Sequence, residues 1–187
     1  MNLRQKTETI AAAYREYEAK LPVDHRKHRG ALFVPGVGPL NARIVLVGEA
    51  PGAKENELGW PFVGPAGEEL DRVLGLSGLR RSRIFITNAV KYRPPNNSTP
   101  KPWERQYGRA CLSIELHTLN PDLVILAGGT AFNTVFPDRK FSEWIGHLIC
   151  TDARDYLPVW HPSACLRKPA LATENDDYFR VARRYDG

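Results

Sequence analysis

The chain has 187 residues, of which 42% are hydrophobic and 25% are charged, and its 26 basic and 21 acidic side chains give a formal net charge of +5. These proportions are ordinary for a soluble globular protein, and they exclude a disordered chain, a collagen and a coiled coil. The length predicts one domain with short appendages. The small positive excess is compatible with a polyanionic partner but does not require one.

Neither a targeting segment nor a disulfide framework is evident in the sequence. Cysteine occurs at Cys111, Cys150 and Cys165, an odd number of residues at wide spacings. The opening residues, MNLRQKTETI, lack the apolar region of a signal peptide, and no stretch approaches the ~18 apolar residues of a membrane span. We therefore expect a cytoplasmic protein that contacts no membrane.

Helical spacing of apolar residues predicts a first helix over residues 4–20 that lies over the domain. A basic run at 24–29 and a Gly/Pro-rich loop at 34–39 follow it. We therefore divide the chain into an N-terminal helix and basic segment, 1–30, and a single domain, 31–187.

Strands and helices alternate through the rest of the chain. Short, buried strands are predicted at 44–47, 84–86, 123–126 and 157–160. Helices are predicted at 66–76, 102–119, 130–135 and 174–185. Because this alternation is typical of right-handed βαβ units, we expect an α/β fold, a single-domain three-layer α/β/α sandwich with a central four-stranded parallel sheet.

Residues that can do chemistry follow the predicted strands. Glu49 follows the first strand, Asn88 the second, a pair of glycines the third and His161 the fourth. Ligands of open α/β sheets bind at the carboxyl ends of the strands, so a carboxylate, an amide and an imidazole should converge there. Together they supply a general base, a two-way hydrogen-bonding group and a hydrogen-bond donor.

The loop after Glu49 places the large apolar side chains of Trp60 and Phe62 among several glycines. These rings either cap the core beneath the loop or form a stacking wall for a flat ligand. The loop has no G-x-G-x-x-G pattern and no Walker lysine, which disfavours an enzyme that uses a nucleotide cofactor.

Four motifs, in this order, resemble the uracil-DNA glycosylase superfamily, and most closely its iron–sulfur branch, family 4. The motifs are GEAPG (48–52), GWPFVGPAG (59–67), TNAVKYRPP (87–95) and HPSACLR (161–167). The resemblance implies a monomeric DNA repair enzyme that flips deoxyuridine out of single- or double-stranded DNA and hydrolyses its N-glycosidic bond. Uracil would be released and an abasic site left behind.

The resemblance also implies the roles of individual residues. Glu49 would orient or deprotonate the attacking water, and His161 would donate to uracil O2, where negative charge develops. Phe62 would stack on the base and Asn88 would recognise its O4 and N3–H edge. The other base contacts would come from Ala50, Gly52 and Glu55, of which Glu55 would lie near the C5 edge and help to exclude thymine.

The segment after His161 would contact DNA. Leu166 would wedge into the gap left by the flipped base, next to Cys165, and Arg167 would hold a flanking phosphate. The alternative for Leu166 is a core leucine at the start of a helix. Further backbone contacts are expected from Ser163, Lys91 and Arg93, although each basic residue taken singly is better explained as solvated surface charge.

The chain departs from family 4 at the positions that hold its [4Fe–4S] cluster. The cysteine of the VKCRPP motif is replaced by Tyr92, only Cys111 matches a ligand, and His25 and His28 stand near the place of the missing Cys-x-x-Cys pair. Such clusters are normally held by four thiolates, so we expect no cluster, no metal and no cofactor. A zinc site made by the two histidines and Cys111 is the alternative.

A related branch traps its product through a histidine in the loop after TNAVK. Residues 93–101 contain no histidine, so we expect turnover without a covalent adduct.

Two other functions remain open. The chain could be a broader glycosylase that also removes hypoxanthine or mismatched bases. It could also be a uracil- or abasic-DNA binding protein with little turnover.

Overall fold

The computed structural model describes residues 1–22 and 31–186. Within these residues the strands form one parallel sheet in the order β2-β1-β3-β4. The strands are β1 (Ile44–Gly48), β2 (Ile84–Asn88), β3 (Leu123–Ala127) and β4 (Asp155–Val159). The helices are α1 (Leu3–Lys20), α2 (Ala53–Leu58), α3 (Pro65–Ser77), α4 (Pro102–Leu119), α5 (Gly129–Val135), α6 (Phe141–Trp144), α7 (Pro162–Arg167) and α8 (Pro169–Ala182).

Each strand of the sheet is rich in apolar residues because helices cover both of its faces. Along β1, Ile44 and Leu46 point to the face covered by α3 and α8, whereas Val45 and Val47 point to the face covered by α4 and α5. All four side chains are buried. The predicted three-layer α/β/α sandwich is confirmed.

The N-terminal helix α1 packs along α4 and buries Ile10, Ala13 and Tyr17. Asn2 and Gln5 form a capping box at its start, which satisfies two backbone N–H groups that have no partner inside the helix. The helix predicted over 4–20 is therefore confirmed. The chain division at residue 30 stays a prediction, because the basic run with His25 and His28 lies outside the described residues.

Three short helices, α2, α6 and α7, were not predicted. Each has only four to six residues, too few for a helical period to show in the sequence. The last long helix begins at Pro169, five residues earlier than expected, with proline in the first turn where its missing N–H costs nothing. No helix of the described residues is long and apolar enough to cross a membrane.

The strand register brings the functional residues of the motifs to one edge of the sheet. Gly48 pairs with Asn88, and Ala127 pairs with Val159. Glu49, the first residue after β1, is therefore placed beside Asn88. His161 is the second residue after the end of β4. The convergence that the sequence predicts at the carboxyl edge is present.

Candidate active site

A cavity of about 550 Å³ opens at the carboxyl edge of the sheet. Its size suits a small organic ligand. It is lined by many of the residues predicted for the site, namely Glu49, Ala50, Gly52, Glu55, Phe62, Asn88, His161, Ser163 and Arg167.

Asn88 is the last residue of β2, and it is 3% exposed. A side chain at the neighbouring Gly48 would overlap both Asn88 Oδ1 and the Phe62 ring, so only glycine allows this close approach. The turn after Asn88 is bonded to the end of β1, since Ala89 N–H donates to Gly48 O at 2.9 Å and Val90 N–H donates to Glu49 O at 3.1 Å. The amide and the Glu49 carboxylate are thus carried by one bonded unit.

Phe62 forms one wall of the cavity from an unusual backbone conformation. Its φ is +54°, in the left-handed region that residues with a Cβ rarely adopt. The Arg81 guanidinium holds this turn by donating to Pro61 O at 3.0 Å and to Phe62 O at 2.9 Å. The Phe62 ring stacks beside the His161 ring, with centroids 5.8 Å apart.

Glu55 holds the other side of the same turn. Its carboxylate accepts hydrogen bonds from the backbone N–H groups of Gly52 at 3.1 Å, Val63 at 3.0 Å and Gly64 at 2.9 Å. The side chain is buried, and both of its oxygens are used. Glu55 therefore joins the start of α2 to the Phe62 turn, a structural role that the sequence did not reveal.

His161 caps the start of α7 and is held as a neutral ring. Its Nδ1 accepts the Ser163 backbone N–H at 3.1 Å and lies 2.8 Å from Ser163 Oγ. Burial, and then the positive charge of Arg167, lower the pKa of His161 to about 4. At neutral pH the ring therefore carries its proton on Nε2, which is free to donate to a ligand.

A model of the uracil DNA glycosylase superfamily matches residues 35–185. The chain belongs to this superfamily. A type-4 uracil-DNA glycosylase of Thermotoga maritima is 39% identical over 143 residues, which cover 72% of this chain and 71% of that protein. One from Pyrobaculum aerophilum is 38% identical over 162 residues, covering 80% of each. A type-5 uracil-DNA glycosylase of Mycobacterium tuberculosis is 30% identical over 181 residues, covering 82% of this chain and 67% of that protein.

Two residues predicted to contact DNA are buried instead. Lys91 is 0% exposed and pairs with Glu115, so its ammonium does not reach a phosphate. Cys165 is 2% exposed, its Sγ accepts from Asn175 Nδ2 at 3.3 Å, and burial raises its pKa to about 11. Both predictions of DNA contact are wrong. In each case a side chain that follows a motif turns into the core, which the linear sequence does not show.

The other predicted DNA contacts are at least partly exposed. Leu166 is 51% exposed on α7, which excludes the alternative of a core leucine. Arg167, on the same helix, is exposed and lines the cavity. Arg93 donates from Nε to Asn97 Oδ1 at 2.7 Å and so holds the loop at the cavity rim. Ser163 is occupied with His161, as described above.

Several residues of the cavity wall were not predicted. Phe141 and Trp160 meet edge to face, with centroids 5.6 Å apart, and line the side near Gly128. The loop after Arg93 supplies Pro94, Asn97, Ser98 and Thr99. The position of Trp160 directly before His161 was an available signal, whereas nothing in the sequence connects Phe141 to the site.

The surroundings of Cys111 do not fit an iron–sulfur cluster. Cys111 is buried beside Ala13, Tyr17 and Leu21, which offer no further thiolate to a cluster. Tyr92, at the position of a second ligand, stacks on Tyr17 with centroids 6.3 Å apart. Among residues 1–22 and 31–186, no group of three or more His, Cys, Asp or Glu side chains is placed to hold a metal ion.

Proposed function

We propose that the chain is a uracil-DNA glycosylase that hydrolyses the N-glycosidic bond of deoxyuridine in DNA, releasing uracil and leaving an abasic site. The observation that carries the proposal is the single cavity in which Glu49, Asn88 and His161 meet against the Phe62 ring. The 33–39% identity to proteins named type-4 uracil-DNA glycosylases supports the same activity.

Base recognition rests on Asn88 and Phe62. The amide Nδ2 donates to uracil O4 and Oδ1 accepts from N3–H, whereas cytosine presents a donor and an acceptor in the opposite order. Because the pocket around Asn88 is closed by the Phe62 ring, a base must enter flat and stack against that ring. The fixed amide and the ring together select a flipped uracil.

Bond cleavage rests on His161 and Glu49. As the bond between C1′ and N1 breaks, its electron pair moves onto the uracil ring and negative charge develops on O2. The neutral His161 donates a hydrogen bond from Nε2–H to that oxygen. This bond stabilises the negative charge on the leaving base, and the proton stays on His161. Water then adds to C1′, its proton goes to Glu49, and the carboxylate stabilises the positive charge that develops on the sugar.

DNA is held around the cavity by α7 and the loop at 94–99. Leu166 fills the gap left by the flipped base and offsets unstacking, which costs a few kcal/mol. Arg167 contacts the flanking phosphate. Ser163 and Arg93 contact the backbone of the DNA strand near the cavity rim. The proposal places the enzyme in the cytoplasm, acting as a monomer on uracil-containing DNA.

The proposed reaction uses no cofactor. The packing of Tyr92 on Tyr17, at a position where family 4 would place a cluster ligand, supports a chain that folds without an iron–sulfur cluster. Every step assigned above is carried by side chains of the chain itself and by water.

The substrate is tested with a panel of labelled oligonucleotides that carry one uracil, one hypoxanthine or one G:T mismatch. Free base is identified by chromatography, and strand cleavage in alkali counts abasic sites. We expect uracil release, with little or no release from the other two. Release from all three would support the broader glycosylase, and a gel shift without any released base would support the binding protein.

A further inference from the structure

Lys91 and Glu115 form an ion pair inside the protein. Lys91 Nζ lies 2.7 Å from Glu115 Oε2, and both side chains are 0% exposed. Removing two charges from water is costly, and an apolar pair of similar volume is often as stable or more stable. A contribution to stability is therefore a weak explanation for this pair.

The Lys91 ammonium is bonded to the residue that recognises the base. Besides Glu115, Nζ donates to Asn88 O at 2.9 Å and to Thr87 Oγ1 at 2.5 Å, so all three of its hydrogens have acceptors. Thr87 Oγ1 in turn donates to Glu115 Oε1 at 3.1 Å. The backbone that carries the Asn88 amide is thus held by a closed ring of charge-assisted bonds.

The same turn is bonded to the backbone that carries the Glu49 carboxylate. Residues 88–91 form the turn that Lys91 closes, and within it Ala89 N–H and Val90 N–H donate to Gly48 O and Glu49 O. A change at the ammonium therefore reaches both Asn88 and Glu49 through backbone bonds.

Helix α1 completes the network from the other side. Tyr14 donates its hydroxyl to Glu115 Oε1 at 2.5 Å and accepts from Gly36 N–H at 2.9 Å. Lys91 N–H donates to the Tyr17 hydroxyl at 3.3 Å, and Lys91 Nζ lies 5.6 Å from the centre of the Tyr14 ring. Two residues of α1 therefore hold the pair in place.

We infer that Lys91 and Glu115 are positioning residues for base recognition: their buried ion pair fixes the turn at 88–91 so that Asn88 meets the uracil edge and Glu49 meets the sugar. The inference rests on the proposed function. It assigns a positioning role to Lys91, which the sequence analysis expected to contact DNA. It also implies that helix α1 supports the active site.

The main test is the double variant Lys91→Met/Glu115→Leu, which removes both charges and leaves neither partner unpaired. We expect a folded protein whose kcat/KM on uracil-containing DNA falls about 100-fold, since small misplacements at a reacting centre have effects of that size. The affinity for free uracil, measured by calorimetry, should fall as well. Wild-type kcat/KM and wild-type uracil affinity in the folded double variant would overturn the inference.

The single variant Lys91→Met separates positioning from folding. It leaves Glu115 charged and unpaired, so its melting temperature should drop, and adding Glu115→Leu should restore it. Activity should stay low in both variants. If activity returned together with the melting temperature, the pair would be structural only and the inference would fail.

A milder variant covers the case in which the double variant does not fold. Thr87→Val keeps a β-branched residue in β2 and removes only the hydroxyl that joins Lys91 to Glu115. The matched control is Thr134→Val, which removes another buried hydroxyl, one that donates to Thr130 O at 2.8 Å on α5. We expect weaker uracil binding in Thr87→Val alone, and equal uracil binding in the two variants would contradict the inference. Absence of uracil release by the wild type would instead contradict the proposed function.

Discussion

The backbone N–H of Ser163 donates to Nδ1 of His161 at 3.1 Å, which fixes the tautomer of the ring. Because Nδ1 is an acceptor in this bond, the proton of the neutral imidazole lies on Nε2. Gly128, the residue after β3, has a φ of +91° and lies close to the His161 side chain. A Cβ at this position would lie 3.0 Å from His161 Cβ. The ring is therefore held as a neutral donor before any base arrives.

This neutral state predicts how stability depends on pH. The pKa of His161 is about 4 in the folded chain and about 6.5 in an unfolded one, so the unfolded state binds the proton first as the pH falls. Stability should therefore be lost between about pH 6.5 and pH 4, by about 3 kcal/mol in total. Denaturant unfolding of the wild type and of His161→Gln from pH 7 to pH 4 measures the difference. A difference that does not change with pH would contradict a neutral, buried His161.

Glu49→Gln should lower kcat by orders of magnitude and leave DNA binding nearly intact, because the amide neither takes the proton of water nor stabilises a positive sugar. Single-turnover excision and a gel shift on the same oligonucleotide measure the two effects. Glu57→Gln is the matched control, since Glu57 is exposed on α2 and pairs only with Lys54 in the described contacts. Full activity in Glu49→Gln would remove Glu49 from the mechanism.

Asn88→Asp should weaken uracil recognition, because a carboxylate offers no donor to O4 and faces the uracil carbonyl with a negative charge. We expect kcat/KM to fall about 100-fold or more, as when a buried polar contact is left unmade. Steady-state excision of uracil by the two proteins is the measurement. Equal excision would show that Asn88 does not contact the base.

Glu55→Gln tests the support of the Phe62 turn. Glutamine has one acceptor oxygen, and its NH2 group cannot accept a hydrogen bond. At least one of the three backbone N–H groups would therefore lose its acceptor, which lowers the free energy of unfolding by about 1–3 kcal/mol. We expect a lower melting temperature and slower uracil excision, with no gain of activity on thymine. Thymine release by this variant, without loss of stability, would instead support the role at the C5 edge predicted from the sequence.

Leu166→Ala tests the wedge. Because Leu166 is half-exposed, its loss should leave the melting temperature unchanged and lower excision from double-stranded DNA about tenfold, while single-stranded DNA, which has less stacking to replace, is spared. Leu76→Ala is the matched control, since Leu76 is 61% exposed on α3. Equal losses on the two kinds of DNA would contradict the wedge.

The fold and the centre of the site could be predicted from the sequence because both follow from the parallel sheet. Short apolar runs define the strands, and strand ends meet at one edge, so Glu49, Asn88 and His161 had to come together. The proposed DNA surface was less predictable. Lys91 follows a strand as a surface lysine would, and its partner Glu115 lies 24 residues further on, on α4.

Parts of the cavity wall were also beyond prediction. Phe141 reaches the site only through the path of the loop between α5 and α6 and through its edge-to-face contact with Trp160. Glu55 lies in the short helix α2, where a carboxylate usually indicates a solvated charge, and only the folded turn shows that it binds three backbone N–H groups. Such contacts depend on tertiary geometry and leave no periodic signal in the sequence.

The most direct test of a cofactor-free glycosylase is uracil release from a single-uracil oligonucleotide by protein held in excess chelator, with the iron and zinc content of the protein measured in parallel. We predict many turnovers per enzyme from protein that holds neither metal in stoichiometric amount. Uracil release that requires bound iron or zinc would contradict this prediction. So would a protein that binds the DNA but releases no uracil under any condition.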